Sequence, residues 1–252
     1  MQTPFTSFSL TLLSAGLVYT LAVGNAADLA AQSGQASSAA STASPTAPPS
    51  GRFDLEVRGD FFAGFGGNAE RLARGMARTE EVLAAAPDHA EALVWHGSGL
   101  VFRSGQAFQS GDSATGMELF GRGLGEMNRA VALAPDRVGV RIPRGATLLE
   151  STRFMPAAQA EPLLRLAVGD YERVLDLQTA VFSSLGGHAK GELLFGLADG
   201  HARLGDQQKA RQFFQRMTED GSPSPRREYA AAWLGGSAPK AVPACGPCHA
   251  GK

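Results

Sequence analysis

The stretch "VLAAAPDHAEALVWHGSGL", residues 82–100, has a near-copy further along the chain: "AVALAPDRVGVRIPRGATLL", residues 130–149. In both, Ala-Pro-Asp closes an apolar helical pattern, and a glycine lies ten residues after the proline: Pro87 to Gly97, then Pro135 to Gly145. Proline lacks the N–H a helix interior needs, so each Ala-Pro-Asp reads as a helix end. The aspartate is placed to cap the helix that follows, and the glycine to let two helices approach closely. A unit repeated at this distance is the mark of stacked helical pairs.

The pattern extends outward from these copies. Apolar residues recur at spacings of three and four in "AERLARGMARTEEVLAAAP" (69–87), "GMELFGRGLGEMNRAVALAP" (116–135), "EPLLRLAVGDYERVLDLQ" (161–178) and "AKGELLFGLADGHARLGDQQKARQFFQRM" (189–217). No stretch alternates as a strand would. The expected fold class is all-α, over residues 52–235. Two segments read as irregular: "RSGQAFQSGDSATG" (103–116), with the composition of an insertion, and "TAVFSSLGGHAKG" (179–191).

These features resemble the tetratricopeptide repeat, a helix-turn-helix unit of about 34 residues. The clearest unit starts near Gly191. It places Leu194, Leu197, Ala198, His201, the turn Leu204-Gly205-Asp206, Ala210 and Phe214 at the family's signature positions. His201 stands where the family usually has Tyr, and Met217 where it usually has Ala. Gly123, Met127 and Ala130 match before Pro135; Gly75 and Val82 match more loosely before Pro87. The two prolines are 48 residues apart, about 14 more than one unit requires. The resemblance implies a short α-solenoid of three to four helix pairs with a protein partner in its concave groove.

Residues 1–26 carry no charged side chain, and an apolar run from Leu10 to Val23 precedes Gly24 and Ala26. This reads as a secretory signal peptide, an uncleaved anchor being the alternative; after cleavage no integral membrane segment is expected. Residues 27–51 are rich in Ala, Ser, Thr and Pro and read as a disordered linker. The expected location is the periplasm or another exported compartment. A net charge of −1 without a Lys/Arg cluster gives no support for nucleic-acid binding.

Residues 236–252 form a Gly- and Pro-rich tail that holds both cysteines of the chain, in "ACGPCHAGK" (244–252). The C-x-x-C-H spacing is that of c-type haem attachment. Cys245 and Cys248 would form thioethers to the haem vinyl groups, and His249 would ligate the iron as an axial ligand. A covalent haem c is therefore the expected cofactor, in an accessory electron-transfer role with a redox protein as partner. The alternative is a scaffold without haem, in which Cys245 and Cys248 form a disulfide or thiol pair. "CGPC" also occurs in thioredoxin-like proteins, but only four residues follow Cys248 and no βαβ pattern surrounds it. A Cys2His metal site lacks a fourth local ligand. With so little chain after the motif, a sixth iron ligand would come from elsewhere. His188, in a Gly-rich loop, and His201 are the candidates, with His96, His89, Met155 and Met217 behind them. His96 and His201 read as groove or core residues and His89 as solvated. No catalytic constellation stands out; "WHGSGL" has a serine between glycines but lacks the outer glycines of a nucleophile elbow.

Overall fold

The computed structural model describes residues 52–220 and 225–237, and among these it contains helices and no strand. The fold class is all-α. The signal-peptide and linker readings, and the cysteine tail, lie outside the described residues. The helices are α1 (Phe53–Phe65), α2 (Ala69–Ala85), α3 (Ala90–Gln109), α4 (Ser113–Leu133), α5 (Val138–Ser151), α6 (Ala157–Gln178), α7 (Gly187–Arg203), α8 (Gln207–Glu219) and α9 (Pro225–Leu234), with short 3-10 turns at Thr152–Phe154 and Thr179–Ser184. None of them is long and apolar enough to cross a membrane.

Helices pair in chain order: α1 with α2, α3 with α4, α5 with α6, and α7 with α8. Odd-numbered helices also touch the next odd-numbered helix, from α1 through to α9. The middles of α3 and α7 are consequently closed on every side, from Glu91 to Val101 and from Leu193 to His201. A helix buried all round must carry small residues where neighbours cross. Gly97 and Gly123 meet backbone to backbone: a Cβ on either would lie 2.6 Å from the other's carbonyl oxygen. Gly196 faces Tyr171 in the same way, with a Cβ there 2.4 Å from the ring. The packing role read for Gly97 is therefore strong, while Gly145 is looser, with Tyr171 at 3.2 Å.

The Ala-Pro-Asp copies fold alike. Ala86 and Ala134 close their helices at φ −140°, ψ 83° and φ −138°, ψ 67°, the extended conformation that a following proline imposes. The aspartates, however, do not cap. His89 is the N-cap of α3, its Nδ1 accepting from Ala92 N–H at 3.1 Å, and Arg137 occupies that position of α5 without a side-chain bond. Asp88 pairs with Arg129 on α4 and Asp136 with Arg173 on α6. Each turn is thus tied to the next even-numbered helix, a longer-range use than the local cap.

The expected insertion at 103–116 is not a loop. Its residues extend α3 and α4, which run to 20 and 21 residues, and only Ser110–Asp112 turn. Gln106, Ala107 and Phe108 favour helix, and the one left-handed position, Gly111 (φ +86°), sets the turn. The second irregular stretch is a 3-10 turn followed directly by α7.

Three hairpin turns are copies of each other: Gly66-Gly67-Asn68, Ser110-Gly111-Asp112 and Leu204-Gly205-Asp206. In each, the middle glycine is left-handed and the third residue caps the next helix, accepting from Arg71, Thr115 or Lys209 N–H. The same three backbone bonds recur, such as Asp112 N–H to Ala107 O and Asp206 N–H to His201 O. The α5–α6 connection departs from this plan.

Polar ties lock the stack. Arg144 binds Asp170 through Nε and Nη2 at 2.6 and 2.7 Å, reaches Asn128 at 3.0 Å, and shares Asp170 with Arg141 at 2.8 Å. This fork, satisfied on both sides, joins α4, α5 and α6. Glu91, also buried, accepts from Asp54 N–H and from Arg137.

Candidate functional site

Because the odd-numbered helices run parallel, their C-termini share one edge of the stack. The end of α5 meets the end of α7, where Arg203 donates to Leu149 O (2.7 Å) and Thr152 Oγ1 (2.9 Å). Toward the other ends of α7 and α9, Arg226 meets Glu192 at 2.7 Å and Tyr229 packs on Phe195, so these two helices run the same way. On this edge sit the glycine turns, the end of α9 at Gly236 (φ +74°), and the irregular α5–α6 connection.

That connection shapes a cleft of about 410 Å³ lined by Thr152, Met155, Ala157, Ala160, Leu164 and Leu204, with Glu161 and Arg203 at its margin. Met155 is extended and Pro156 opens α6 with no side-chain cap. Phe154, beside it, is 87% exposed, the most exposed large apolar residue described. The chain is held here by Arg153, which binds Asp199 at 2.7 Å and Glu150 at 2.9 Å. Burial pushes the Asp199 carboxyl up despite Arg153 and Arg203, and pushes the Arg203 guanidinium down. The cleft mixes polar and apolar lining, and its one cation, Arg203, is already engaged.

The histidines singled out in the sequence are dispersed. His96, 2% exposed, lies between Glu126 (Nδ1, 2.5 Å) and Glu80 (Nε2, 3.4 Å). Burial, the largest influence on Glu126, pushes its carboxyl up, but the His96 hydrogen bond and charge together with Arg122 hold it below its ordinary value. His201, 5% exposed, stacks on Phe213, with Glu172 3.4 Å from its Nε2 but outside hydrogen-bond alignment. Burial, helped by the Lys209 charge, lowers its pKa. Both histidines thus face a carboxylate on the preceding even-numbered helix.

His188 is not in a loop: it belongs to the first turn of α7 and is exposed. His89 is not simply solvated: it is a half-buried cap packed edge-on against Phe53. Met217 is buried against α9, whereas Met155 stands on the open cleft. Ser98 of "WHGSGL" is buried and donates to Val94 O, so it is a packing residue. Cys245, Cys248 and His249 lie outside the described residues, and among the described residues no three His, Cys, Asp or Glu side chains are grouped to hold a metal.

Sequence reasoning missed the cleft. Its signal is a gap: the α5–α6 connection, "STRFMPAA" (151–158), lacks the Gly-Asn or Gly-Asp pair found at 67–68, 111–112 and 205–206. Comparison with protein-family models, with curated proteins and with solved structures finds no match to this chain.

Proposed function

We propose that the chain is an exported, tetratricopeptide-like scaffold that carries a covalently attached c-type haem and serves as an accessory in periplasmic electron transfer. The observation that carries this reading is Cys245-Gly-Pro-Cys248-His249, both cysteines of the chain spaced for the two thioethers and followed at once by an imidazole. Two thiols and one histidine fit that group's covalent and axial bonds. When bound, the haem supplies one-electron chemistry at its iron.

The solenoid part of the proposal is supported by four helix pairs in chain order, by three identical glycine turns, and by Ala198, Ala210 and Phe214 lying fully buried where the repeat needs small and aromatic residues. A protein partner, itself a redox protein, would be received in the groove of the array. Of the sixth-ligand candidates, His188 is exposed in the first turn of α7 and Met155 stands on the cleft. His201 and His96 would first have to leave their buried contacts, a cost that disfavours them.

The test is expression in a periplasm with c-haem maturation, followed by a pyridine haemochrome spectrum and an intact mass. The expected result is a Soret band and the mass of one haem, with loss of double attachment in Cys245→Ser. A chain lighter by two protons with no Soret band would instead establish the disulfide reading.

A further inference from the structure

We propose that His96 is a proton-operated joint between the first two helix pairs, a role that does not rest on the haem. As an imidazolium it ties α2 to α3 and α4; on losing a proton it lets α2 go.

The place is an internal copy of one that holds a permanent cation. Pro87 and Pro135 are 48 residues apart, and the same shift carries Glu80 onto Asn128 and His96 onto Arg144. Both side chains are buried, and each reaches back 16 residues to the preceding even-numbered helix. His96 Nε2 lies 3.4 Å from Glu80 Oε1, and Arg144 Nη1 donates to Asn128 Oδ1 at 3.0 Å. Each also reaches a carboxylate on the following even-numbered helix: His96 Nδ1 is 2.5 Å from Glu126 Oε2, and Arg144 Nε is 2.6 Å from Asp170 Oδ2. This forward separation is 30 residues in the first copy and 26 in the second. The turn ties Asp88–Arg129 and Asp136–Arg173 shorten by the same amount, from 41 to 37. The two joints are therefore one design, set in hairpins of different length.

The copies differ in charge. Arg144 donates to both partners at any pH, and one of them, Asn128, is neutral. His96 instead faces two carboxylates. A neutral imidazole has a single N–H, so one of its nitrogens would turn a lone pair on a carboxylate oxygen; only the imidazolium donates on both sides. Glu80, standing where the copy has Asn128, adds attraction for that charge. Burial pushes the Glu126 carboxyl up, but the His96 hydrogen bond and charge, with Arg122 at 3.0 Å, hold it below its ordinary value. Glu126 thus stays ionised, and the ring is the group that switches.

α2 brings Glu80 to the ring, and α4 brings Glu126 with Arg122; no other carboxylate among the described residues pairs with it. The other helices packed on α3 have their charges engaged elsewhere. α1 pairs Asp54, Glu56 and Asp60 with arginines; α5 pairs Arg137 with Glu91, Arg141 and Arg144 with Asp170, and Glu150 with Arg153. The tie is whole while the ring is protonated and fades as pH rises through about pH 5 to 8, where histidine changes charge. Glu126 then keeps Arg122, whereas the Glu80 side chain, 59% exposed, is freed to water. α2 is consequently the element released.

The full-length chain, followed by imidazole 15N NMR and by hydrogen exchange corrected for its intrinsic pH dependence, tests this. At about pH 5 both ring nitrogens of His96, assigned by their loss in His96→Gln, should carry hydrogen, and one hydrogen should leave as pH rises to about 8. Over the same range protection in α2 should fall about fivefold, the loss of one charge-assisted tie to a half-exposed partner. Glu80→Gln, at an exposed side chain, should remove the α2 step. His96→Arg should make the joint like its copy, with α2 protection flat across the range; if that variant does not fold, Glu80→Gln carries the test. A His96 ring with one hydrogen at about pH 5, no α2 step in the natural chain, or an equal step in Glu80→Gln would overturn the proposal.

Discussion

The described residues form two apolar clusters of unequal size, and α7 divides them. The larger runs from Phe53 to Leu197 and takes Leu193 and Leu197 from α7. The smaller takes Leu194, Phe195 and Ala198 from α7, and adds Ala210, Phe214, Met217 and Ala230. Residues four apart lie on one helix face, so 193/197 and 194/198 are adjoining stripes. The clusters also solve the tight crossing differently. In the larger, α3 meets α4 through paired glycines, with Met127 beside them. In the smaller, Ala198 and Ala210 leave room for a ring, and Phe214 packs with Phe195, Tyr229 and Trp233. The lesson is that a small apolar unit can rest on one large aromatic, whereas an extended one spreads its closure over many contacts.

The contrast is sharpest where that aromatic is removed. Phe214→Ala should cost about 3–5 kcal/mol and loosen α8 and α9, since its ring touches Phe195, Tyr229 and Trp233 together. Hydrogen exchange should show protection lost across 207–237 and kept across α1–α6. Met127→Ala, in the larger cluster, should cost about 2–5 kcal/mol but lower protection throughout α1–α6. Equal, global loss in both would show a single cooperative core. Gly97→Ala comes next, at about 1–3 kcal/mol by denaturant unfolding, because its methyl would force α3 from α4 at the Gly123 carbonyl.

Much of this arrangement is legible in the sequence. The Ala-Pro-Asp copies fold as copies because the residue before a proline has one comfortable conformation, and Gly97 packs as its position predicts. Asp88 and Asp136 look like caps in the sequence because a nearby donor is visible there, whereas Arg129 and Arg173 lie about forty positions away and are brought close only by the fold. Residues 103–116 look like a loop through their Gly and Ser content, but a hairpin can absorb extra residues by lengthening both arms, and packing outweighs weak local propensity. The cleft was invisible because it arises from what the α5–α6 connection lacks. The tail chemistry rests on sequence alone.

Acid should separate the clusters by a smaller amount. The His201 pKa is lowered from 6.5 in the fold, so the unfolded chain binds the proton more readily. The stability His201 confers as a neutral ring is present above about pH 6.5 and declines as pH falls below it, by at most about 1.4 kcal/mol per pH unit. Glu126 is lowered from 4.5, so its contribution holds until pH falls through that lower range. Between pH 6.5 and 5, hydrogen-exchange protection in α7–α8 should weaken before protection in α3–α4 does. His201→Phe should flatten that dependence; an unchanged slope would detach it from His201.

The smallest effect tests whether the clusters share one turn design. Asn68 caps α2 at the start of the larger cluster, and Asp206 caps α8 in the smaller, with bonds of 3.0 Å each. Both follow a left-handed glycine, and the backbone N–H of each donates to the carbonyl five residues back. Replacing either side chain with alanine removes one acceptor from a helix start and should cost about 1 kcal/mol. If the turns are equivalent, Asn68→Ala and Asp206→Ala should match within measurement error in global denaturant unfolding. They should differ in location: the first frays α2 from its N-terminus, and the second frays α8. A markedly larger loss for Asp206→Ala would mean that its carboxylate also steadies His201, 3.8 Å away, and that the smaller cluster depends on its polar edge as well as on Phe214.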